Sequence, residues 1–129
     1  EQHRLTNQVR FIDHCKDMAL AYQVSDIVIS PSIEPEAFGR VAVEAQSMEK
    51  LIIASNIGGS NETIINEKTG FLFEAGDVNS LSKKIIQAIT MDETSLKLMG
   101  KEGRKNIIKK LNVEKMCFST YSEYKKLIN

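Results

Sequence analysis

The sequence predicts an α/β fold in which a parallel sheet lies between layers of helices. Three short runs, at 26–30, 51–55 and 70–73, are almost continuously apolar instead of alternating. Such runs are typical of strands that are buried on both faces, as in parallel sheets. Segments with helical spacing separate the runs, and parallel strands need crossovers of that kind. We therefore expect βαβ units in the first half of the chain and a helical C-terminal tail.

Strands and helices are expected to alternate over the first half of the chain. Pro31 ends the run at 26–30 because proline donates no backbone hydrogen bond, and the Thr69–Gly70 turn begins the run at 70–73. Apolar residues at helical spacing (Met18, Leu20, Ala21 and Val24) indicate a helix. The predicted elements are a strand over 9–12, a helix over 14–24, strands over 26–30 and 51–55 joined by a helix over 39–48, a short helix over 61–66 and a strand over 70–73.

The remainder of the chain carries only helical patterns. Asp77 is the expected N-cap of the first of these helices, because its carboxylate can accept bonds from free amides. Three apolar stripes follow, which are typical of helices that pack on a core: Leu81, Ile85, Ile86 and Ile89; Leu96, Met99, Ile107 and Leu111; and Val113, Met116, Cys117, Tyr121, Tyr124 and Ile128. The basic run at 101–110 is predicted to be a solvated helix face rather than a contact to anionic lipid.

The composition excludes several classes of protein. A chain of 129 residues is long enough for one domain with a core, and its 17 basic residues balance 17 acidic ones, so no net field favours nucleic acid. Cys15 and Cys117 are too few for a disulfide framework or a metal knuckle. No apolar run approaches the ~20 residues that span a bilayer. The chain does not begin with Met, and we expect a fragment of a longer protein.

Three acids surround the apolar stretch EPEAFGRVAVEAQ, residues 34–46: Glu34, Glu36 and Glu44. The stretch follows the run at 26–30, and ligands of open parallel sheets bind outside the carboxyl ends of the strands. A helix that begins near Gly39 or Arg40 would aim its free amides into that crevice, where they favour an anion. A phosphate is therefore expected at Phe38–Arg40, because Gly39 allows close approach to the backbone.

The carboxylates suit hydroxyl groups, from which they accept hydrogen bonds well. Glu36 precedes the turn, and Glu44 lies one helical turn beyond Arg40 on the same face. A ligand with phosphate in its middle and hydroxyl-rich groups at both ends, such as a nucleotide sugar, fits this pattern. A purely structural interpretation stays open, in which Glu36 stabilises the helix N-terminus and Arg40 pairs with either acid. Apolar neighbours make Glu44 hard to explain in that way, because a buried acid without a partner is costly.

Residues 25–77 resemble the donor-binding half of a retaining GT-B glycosyltransferase, with family 4 (group 1) as the best match. The E-x7-E motif of that family is met from Glu36 to Glu44, and its GG…E loop is met by Gly58, Gly59 and Glu62. The PS dipeptide before the motif and the TGFLF strand after it stand in the order and spacing of the family. The resemblance extends over about residues 9–90.

The resemblance implies a Rossmann-like three-layer α/β fold with a parallel sheet, the C-terminal half of a GT-B protein. It implies that residues 1–129 are part of the nucleotide-sugar-binding domain, without the N-terminal acceptor domain. The whole protein is implied to transfer a hexose from a nucleotide-diphosphate sugar to an acceptor hydroxyl with retention, in the synthesis of cell-envelope polysaccharide or lipopolysaccharide. This chain alone is expected to be inactive.

The resemblance also assigns a role to each site residue. Glu36 is implied to be catalytic through contacts to the donor sugar, and Glu44 is implied to bind the ribose together with Val41. Gly58 and Gly59 would form a supporting loop, with Glu62 in the first turn of the next helix. The residues implied at the donor sugar and diphosphate are Glu36, Ala37, Phe38, Gly39 and Arg40. Glu34 has no counterpart and is interpreted as a loop acid.

No metal or other cofactor is implied, because the sequence has no D-x-D motif and no histidine cluster; His3 and His14 are expected at the surface. The implied partners are a nucleotide-sugar donor and, through the missing domain, a sugar or lipid-linked acceptor, without nucleic acid. The implied location is cytoplasmic, and peripheral contact with the inner face of the cytoplasmic membrane stays open. The Arg and Lys with which the family holds the diphosphate have no counterpart before Val9, and both Arg4 and Arg10 stand in the wrong context.

Two other functions remain open at this point. A GT-B sugar-nucleotide epimerase would share the fold, but the E-x7-E motif together with the GG…E loop weighs against it. A flavodoxin-like ligand-binding module should show an acidic cluster or a phosphate loop at its first strand, and the sequence has neither. Binding of a nucleotide diphosphate would separate the first two functions from the third.

Overall fold

A parallel sheet of three strands is the centre of the structure, a computed structural model that describes residue 5 and residues 7–128. The described strands are β1 (Ile27–Ser30), β2 (Leu51–Ser55) and β3 (Phe71–Phe73), in that spatial order. Both neighbouring pairs are parallel, with Ile27 beside Leu51 and Ile53 beside Phe71. The predicted parallel sheet, with the runs at 26–30 and 51–55 as neighbours, is confirmed.

Helices connect and cover these strands. The structure describes α1 (Met18–Val24), α2 (Arg40–Ser47), α3 (Ser60–Thr63), α4 (Val78–Ile89), α5 (Glu93–Lys110) and α6 (Val113–Ile128). The Asp77 side chain accepts bonds from the amides of Asn79 and Ser80 at 2.8 and 3.1 Å, so the predicted N-cap of α4 is confirmed. None of the described helices is both long and apolar enough to cross a membrane.

Strand β2 is buried along its whole length and contributes side chains to two hydrophobic cores, one on each face of the sheet. The first core contains Tyr22, Ala42, Ala45, Ile52, Ala54 and Ile64, and the second contains Leu51, Ile53, Phe71, Phe73 and Ala88. Residues of α2 therefore cover one face and residues of α4 the other. This layered arrangement is the three-layer Rossmann-like fold that the sequence predicts.

Helix α2 is held at its C-terminal half by buried contacts. The Gln46 side chain is fully buried, and its amide donates to the carbonyls of Ala42 and Thr63 at 3.1 and 3.2 Å. Helix α5 lies directly on the end of α2, since a Cβ added to Gly100 would stand 2.8 Å from the carbonyl carbon of Glu49. The helix that follows β1 is thus fixed at its far end, which leaves its N-terminus at the carboxyl end of the sheet.

Several predictions on the N-terminal segment are wrong. The run at 9–12 forms no strand, and Phe11 and Ile12 are exposed. Helix α1 begins only at Met18, where the Asp17 side chain accepts a bond from the Leu20 amide. Strand β1 is not buried on both faces, because it lies at the edge of the described sheet and leaves Ile29 exposed.

The apolar stripes of the helices are only partly confirmed as core contacts. In α1 the buried residue is Tyr22, whereas Leu20 and Val24 are exposed. In α4 the side chains of Ile86 and Ile89 face solvent. The face of this helix that packs on the second core carries Leu81, Ile85 and Ala88. Helix α6 has no buried residue among those described, so its apolar stripe makes no core contact there.

Smaller predictions have mixed outcomes. The short helix predicted over 61–66 lies at Ser60–Thr63. Within the basic run 101–110, Ile107 is buried, and Ile108 and all four lysines are exposed, in agreement with a solvated helix face. Both cysteines are free thiols, and His14 is exposed. His3 lies outside the described residues.

Candidate functional site

The candidate site lies where two loops leave neighbouring parallel strands. The loop 31–39 follows β1 and leads into α2, and the turn 56–59 follows β2 and leads into α3. Because the two strands are parallel and adjacent, their carboxyl ends open at the same edge of the sheet. The predicted site residues from Glu36 to Glu44 and the Gly58–Gly59 turn are therefore brought together.

The Gly58–Gly59 turn packs backbone against backbone on the loop that carries Glu36. The Gly59 amide donates to the Glu36 carbonyl at 2.8 Å. A Cβ added to Gly59 would stand 2.5 Å from the carbonyl oxygen of Phe38, and one added to Gly58 would stand 2.5 Å from that of Glu36. Side chains of any size would push the two segments apart, so the glycines do more than make a flexible turn.

The N-terminus of α2 lies at the carboxyl edge of the sheet, beside the Gly58–Gly59 turn. Gly39 is buried there, and a Cβ added to it would stand 3.3 Å from the Ser60 amide nitrogen, so the backbone is covered on that side. Gly39 is the N-cap in the left-handed conformation (φ 70°), and it caps without a side-chain hydrogen bond. Its carbonyl accepts from the amides of Ala42 and Val43 at 3.0 and 3.3 Å. The amides of Arg40 and Val41 in the first turn have no acceptor within the helix. Together with the helix dipole they make a position that suits an anion.

Glu44 is held by two side chains from different sides. Its Oε1 accepts from Arg40 Nη2 at 3.0 Å and from Arg40 Nε at 3.3 Å, and its Oε2 accepts from the Tyr22 hydroxyl at 2.9 Å. The side chain of Glu44 is 34% exposed, whereas that of Arg40 is 82% exposed. The acid is thus neither buried without a partner nor free in solvent, and the predicted pairing of Arg40 with Glu44 is present.

Glu36 has a different environment, in a loop without regular secondary structure. Its carboxylate is exposed and accepts a hydrogen bond from the Ser32 hydroxyl. Ala37 and Phe38 are exposed in the same loop. The side chain of Glu36 therefore stands at the surface of the crevice, while its backbone is held by Gly59.

Phe38 also lines an apolar groove of about 440 Å³ between this loop and the junction of α5 and α6. The opposite wall includes Leu111, Val113 and Met116. None of these three is among the predicted site residues, because an apolar stripe in a sequence does not indicate which loop it will face. The α5–α6 junction therefore borders the candidate site next to Phe38.

Glu62 is exposed in the first turn of α3, and no hydrogen bond or ion pair to its carboxylate is present among the described residues. Tyr22 and Ser32 are absent from the predicted site although they contact Glu44 and Glu36. The spacing of Ser32 and Glu36 in one loop is a local signal, whereas nothing local connects Tyr22 to Glu44. In the part of the chain that the structure describes, no three potential ligands cluster as a metal site would require.

Similarity to known proteins gives this geometry a family. The chain is 34% identical over 104 residues to the capsular polysaccharide biosynthesis glycosyltransferase CapM of Staphylococcus aureus, which covers 81% of this chain and 27% of CapM. A crystal structure of a glycosyltransferase from Rickettsia africae ESF-5 is 35% identical with a TM-score of 0.88, and the similarity covers 99% of this chain and 34% of that chain. Anabaena HepE in complex with UDP-glucose is 25% identical with a TM-score of 0.86, over 95% of this chain and 33% of HepE.

The chain therefore spans roughly a quarter to a third of the length of these relatives. The sequence model of the family described as glycosyl transferases group 1 matches residues 1–106, which is most of the chain. This match favours the glycosyltransferase over the epimerase and the flavodoxin-like module. The chain belongs to the glycosyl transferases group 1 family and has the Rossmann-like fold of a GT-B glycosyltransferase domain.

Proposed function

We propose that this chain is the donor-binding part of a glycosyltransferase and that its crevice binds a nucleotide-diphosphate sugar. The structurally similar HepE from Anabaena has been crystallised with UDP and with UDP-glucose. The open edge of the sheet in this chain offers both an anion position and carboxylates that suit hydroxyl groups. Those two chemistries match the diphosphate and the two sugar rings of such a donor.

The observation that carries the proposal is the arrangement around Glu44. A carboxylate has about four acceptor positions. The Tyr22 hydroxyl takes one at Oε2 and Arg40 takes two at Oε1, so one position at Oε2 remains for a ligand. The Arg40 side chain is 82% exposed, and an exposed ion pair of this kind contributes only about 0–1 kcal/mol. A ribose diol can therefore displace Arg40 at small cost and bind both carboxylate oxygens.

The diphosphate is assigned to the N-terminus of α2. The amides of Arg40 and Val41 lack acceptors within the helix, which leaves them available to an anion. The guanidinium of Arg40, once released from Glu44, adds positive charge beside those amides. Phe38 and Ala37 continue the loop toward the donor sugar.

Glu36 is assigned to the hydroxyls of the donor sugar. Its exposed carboxylate is oriented by Ser32, and its backbone is fixed by the Gly59 amide. In this proposal the chain contributes by positioning the donor and by stabilising the departing diphosphate, and it supplies no covalent nucleophile. Gly58 and Gly59 hold the loop, and Glu62 adds favourable charge to the first turn of α3.

For the whole protein we infer transfer of a hexose to an acceptor hydroxyl with retention, in cell-envelope polysaccharide synthesis and without a metal. Support comes from the names of two relatives, CapM and an Escherichia coli UDP-Gal:alpha-D-GlcNAc-diphosphoundecaprenol alpha-1,3-galactosyltransferase, the latter 32% identical over 99 residues. The acceptor, a sugar or a lipid-linked sugar, is assigned to a domain outside this chain. Acceptor-dependent release of nucleotide diphosphate by residues 1–129 alone would contradict that division.

The test is calorimetric titration of the whole protein with UDP, GDP and ADP as probes. Glu44→Gln keeps the shape of the side chain but removes its charge, so we expect the best-binding nucleotide to bind about tenfold more weakly or worse. Glu93→Gln is the matched control, because Glu93 forms an i,i+4 ion pair with Lys97 on α5, as Glu44 does with Arg40 on α2. The control should bind nucleotide as the parent does. Equal binding by Glu44→Gln and the parent, or no binding of any probe by the parent, would contradict the proposal.

A further inference from the structure

The geometry points to Tyr22, on α1, as a positioning residue that fixes the Glu44 carboxylate for the ribose of the donor. This inference rests on the proposed function, because it assumes that Glu44 binds the nucleotide. The Tyr22 hydroxyl donates to Glu44 Oε2 at 2.9 Å across 22 positions of sequence. Tyr22 itself is assigned no contact with the donor.

The ring of Tyr22 is anchored in the first core. The residue is 4% exposed and packs in the same cluster as Ala42, Ala45 and Ile52. Close packing restricts the ring to one orientation, and the hydroxyl is carried to one place. The oxygen that accepts from it, Oε2, is then held at a fixed distance from the core beneath α2.

Helix α1 is in turn attached to the layer that carries the site. Asp17 caps its N-terminus through the Leu20 amide at 3.0 Å. At its other end, Lys50 from the connection between α2 and β2 donates to the Gln23 carbonyl at 2.9 Å. The short helix is tied to the end of α2, so the donor hydroxyl and its acceptor belong to one packed unit.

The two partners of Glu44 differ in how firmly they are held. Arg40 is 82% exposed and can move, whereas Tyr22 is buried. Burial and the hydrogen bond to Glu44 raise the pKa of Tyr22 to about 12, so the hydroxyl stays protonated throughout the neutral range. Tyr22 is the permanent donor to the carboxylate, and Arg40 is the exchangeable one. Orientation by a fixed neighbour reduces the freedom that the carboxylate loses when it binds the ribose.

A double-mutant cycle tests this inference in the whole protein, with the best-binding nucleotide among UDP, GDP and ADP as the probe. Tyr22→Phe removes only the hydroxyl, and we expect about three- to tenfold weaker binding. In a Glu44→Ala background the same substitution should change binding less than about twofold, because no side-chain acceptor is left for the Tyr22 hydroxyl to orient. Tyr121→Phe, at an exposed position of α6, is the matched control and should bind as the parent does.

Each outcome distinguishes the inference from the proposed function. If Glu44→Gln weakens binding and Tyr22→Phe does not, or if Tyr22→Phe weakens binding equally in both backgrounds, Tyr22 does not act through Glu44. If Glu44→Gln has no effect, the proposed function itself fails. A crystal structure of the parent with the nucleotide gives a result that needs no variant: Tyr22 should still donate to the carboxylate that binds the ribose, and a Glu44 rotated away from Tyr22 would overturn the inference.

Discussion

Glu36 and Glu44 are chemically identical and stand eight positions apart, yet the molecule holds them in different ways. Glu44 lies in a helix and is held through its side chain, by Tyr22 from the core and by Arg40 from the surface. Glu36 lies in an irregular loop and is held mainly through its backbone, which the Gly58–Gly59 turn contacts closely. The comparison teaches that the position of Glu44 depends on the side chains that bind its carboxylate. The position of Glu36 depends on the two glycines, whose lack of side chains lets the turn pack against the loop.

This difference predicts where substitutions act. Changes near Glu44 should remove one hydrogen bond at a time and give graded losses. Changes in the glycine turn should displace the whole loop and affect every contact that the loop makes.

The largest effect is expected for Gly59→Ala. Its Cβ would stand 2.5 Å from the carbonyl oxygen of Phe38, so the loop must move. We expect donor binding to weaken about tenfold or more, with a loss of about 1–3 kcal/mol in the free energy of unfolding. Titration with a nucleotide sugar and denaturant unfolding measure the two quantities.

Gly76→Ala serves as the control for this variant. Gly76 has a positive φ (79°), unlike Gly59 (φ −60°), and no atom lies within 4 Å of an added Cβ. The Gly76→Ala variant should lose about 1 kcal/mol in the free energy of unfolding from backbone strain alone and keep the donor affinity of the parent. If Gly59→Ala behaves as Gly76→Ala does, the glycine turn does not support the loop.

Ser32→Ala should have a smaller and more selective effect. It removes the hydroxyl that donates to the Glu36 carboxylate and leaves the hydrogen bond from the Gly59 amide to the Glu36 carbonyl in place. We expect about two- to fivefold weaker binding of the sugar-bearing donor, and unchanged binding of the plain nucleotide diphosphate. Weaker binding of both ligands would show that Ser32 supports the whole loop rather than one carboxylate.

The smallest effect is expected on stability, for Arg40→Ala. The Arg40–Glu44 pair is exposed on the arginine side, so its loss should change the free energy of unfolding by at most about 1 kcal/mol. Lys97→Ala breaks the comparable i,i+4 pair with Glu93 and should behave alike. A clearly larger loss for Arg40→Ala in thermal unfolding would mean that the pair is a structural element, against the exchangeable role proposed for Arg40.

The parts of this molecule that the sequence predicts are those set by local pattern. Strand β2 is predicted by its almost continuous apolar run, and all five of its residues are buried in the sheet. The N-cap at Asp77 and the N-terminus of α2 after Gly39 follow from residue type and position. The position of Glu36 and Glu44 directly after the run at 26–30 predicts that both acids lie near the carboxyl end of the sheet.

The remainder depends on what each element packs against, which local pattern does not contain. Ile29 and Ile53 look alike in sequence, but β1 is an edge strand and β2 a central one, so their burial differs. The apolar stripe of α6 predicts a core contact, and no residue described in that helix is buried. The Tyr22–Glu44 bond joins two helices that only the tertiary fold brings together.

The most direct test of the central claim is a crossed titration of Glu36→Gln and Glu44→Gln in the whole protein. Each variant is titrated with the nucleotide diphosphate that the parent binds best and with the corresponding glucose-bearing donor. We predict that Glu44→Gln weakens the binding of both ligands by about tenfold, because both contain the ribose. Glu36→Gln should weaken the binding of the sugar-bearing donor only. Equal losses of both ligands in Glu36→Gln, or unchanged nucleotide binding in Glu44→Gln, would contradict the division of the two carboxylates between sugar and ribose.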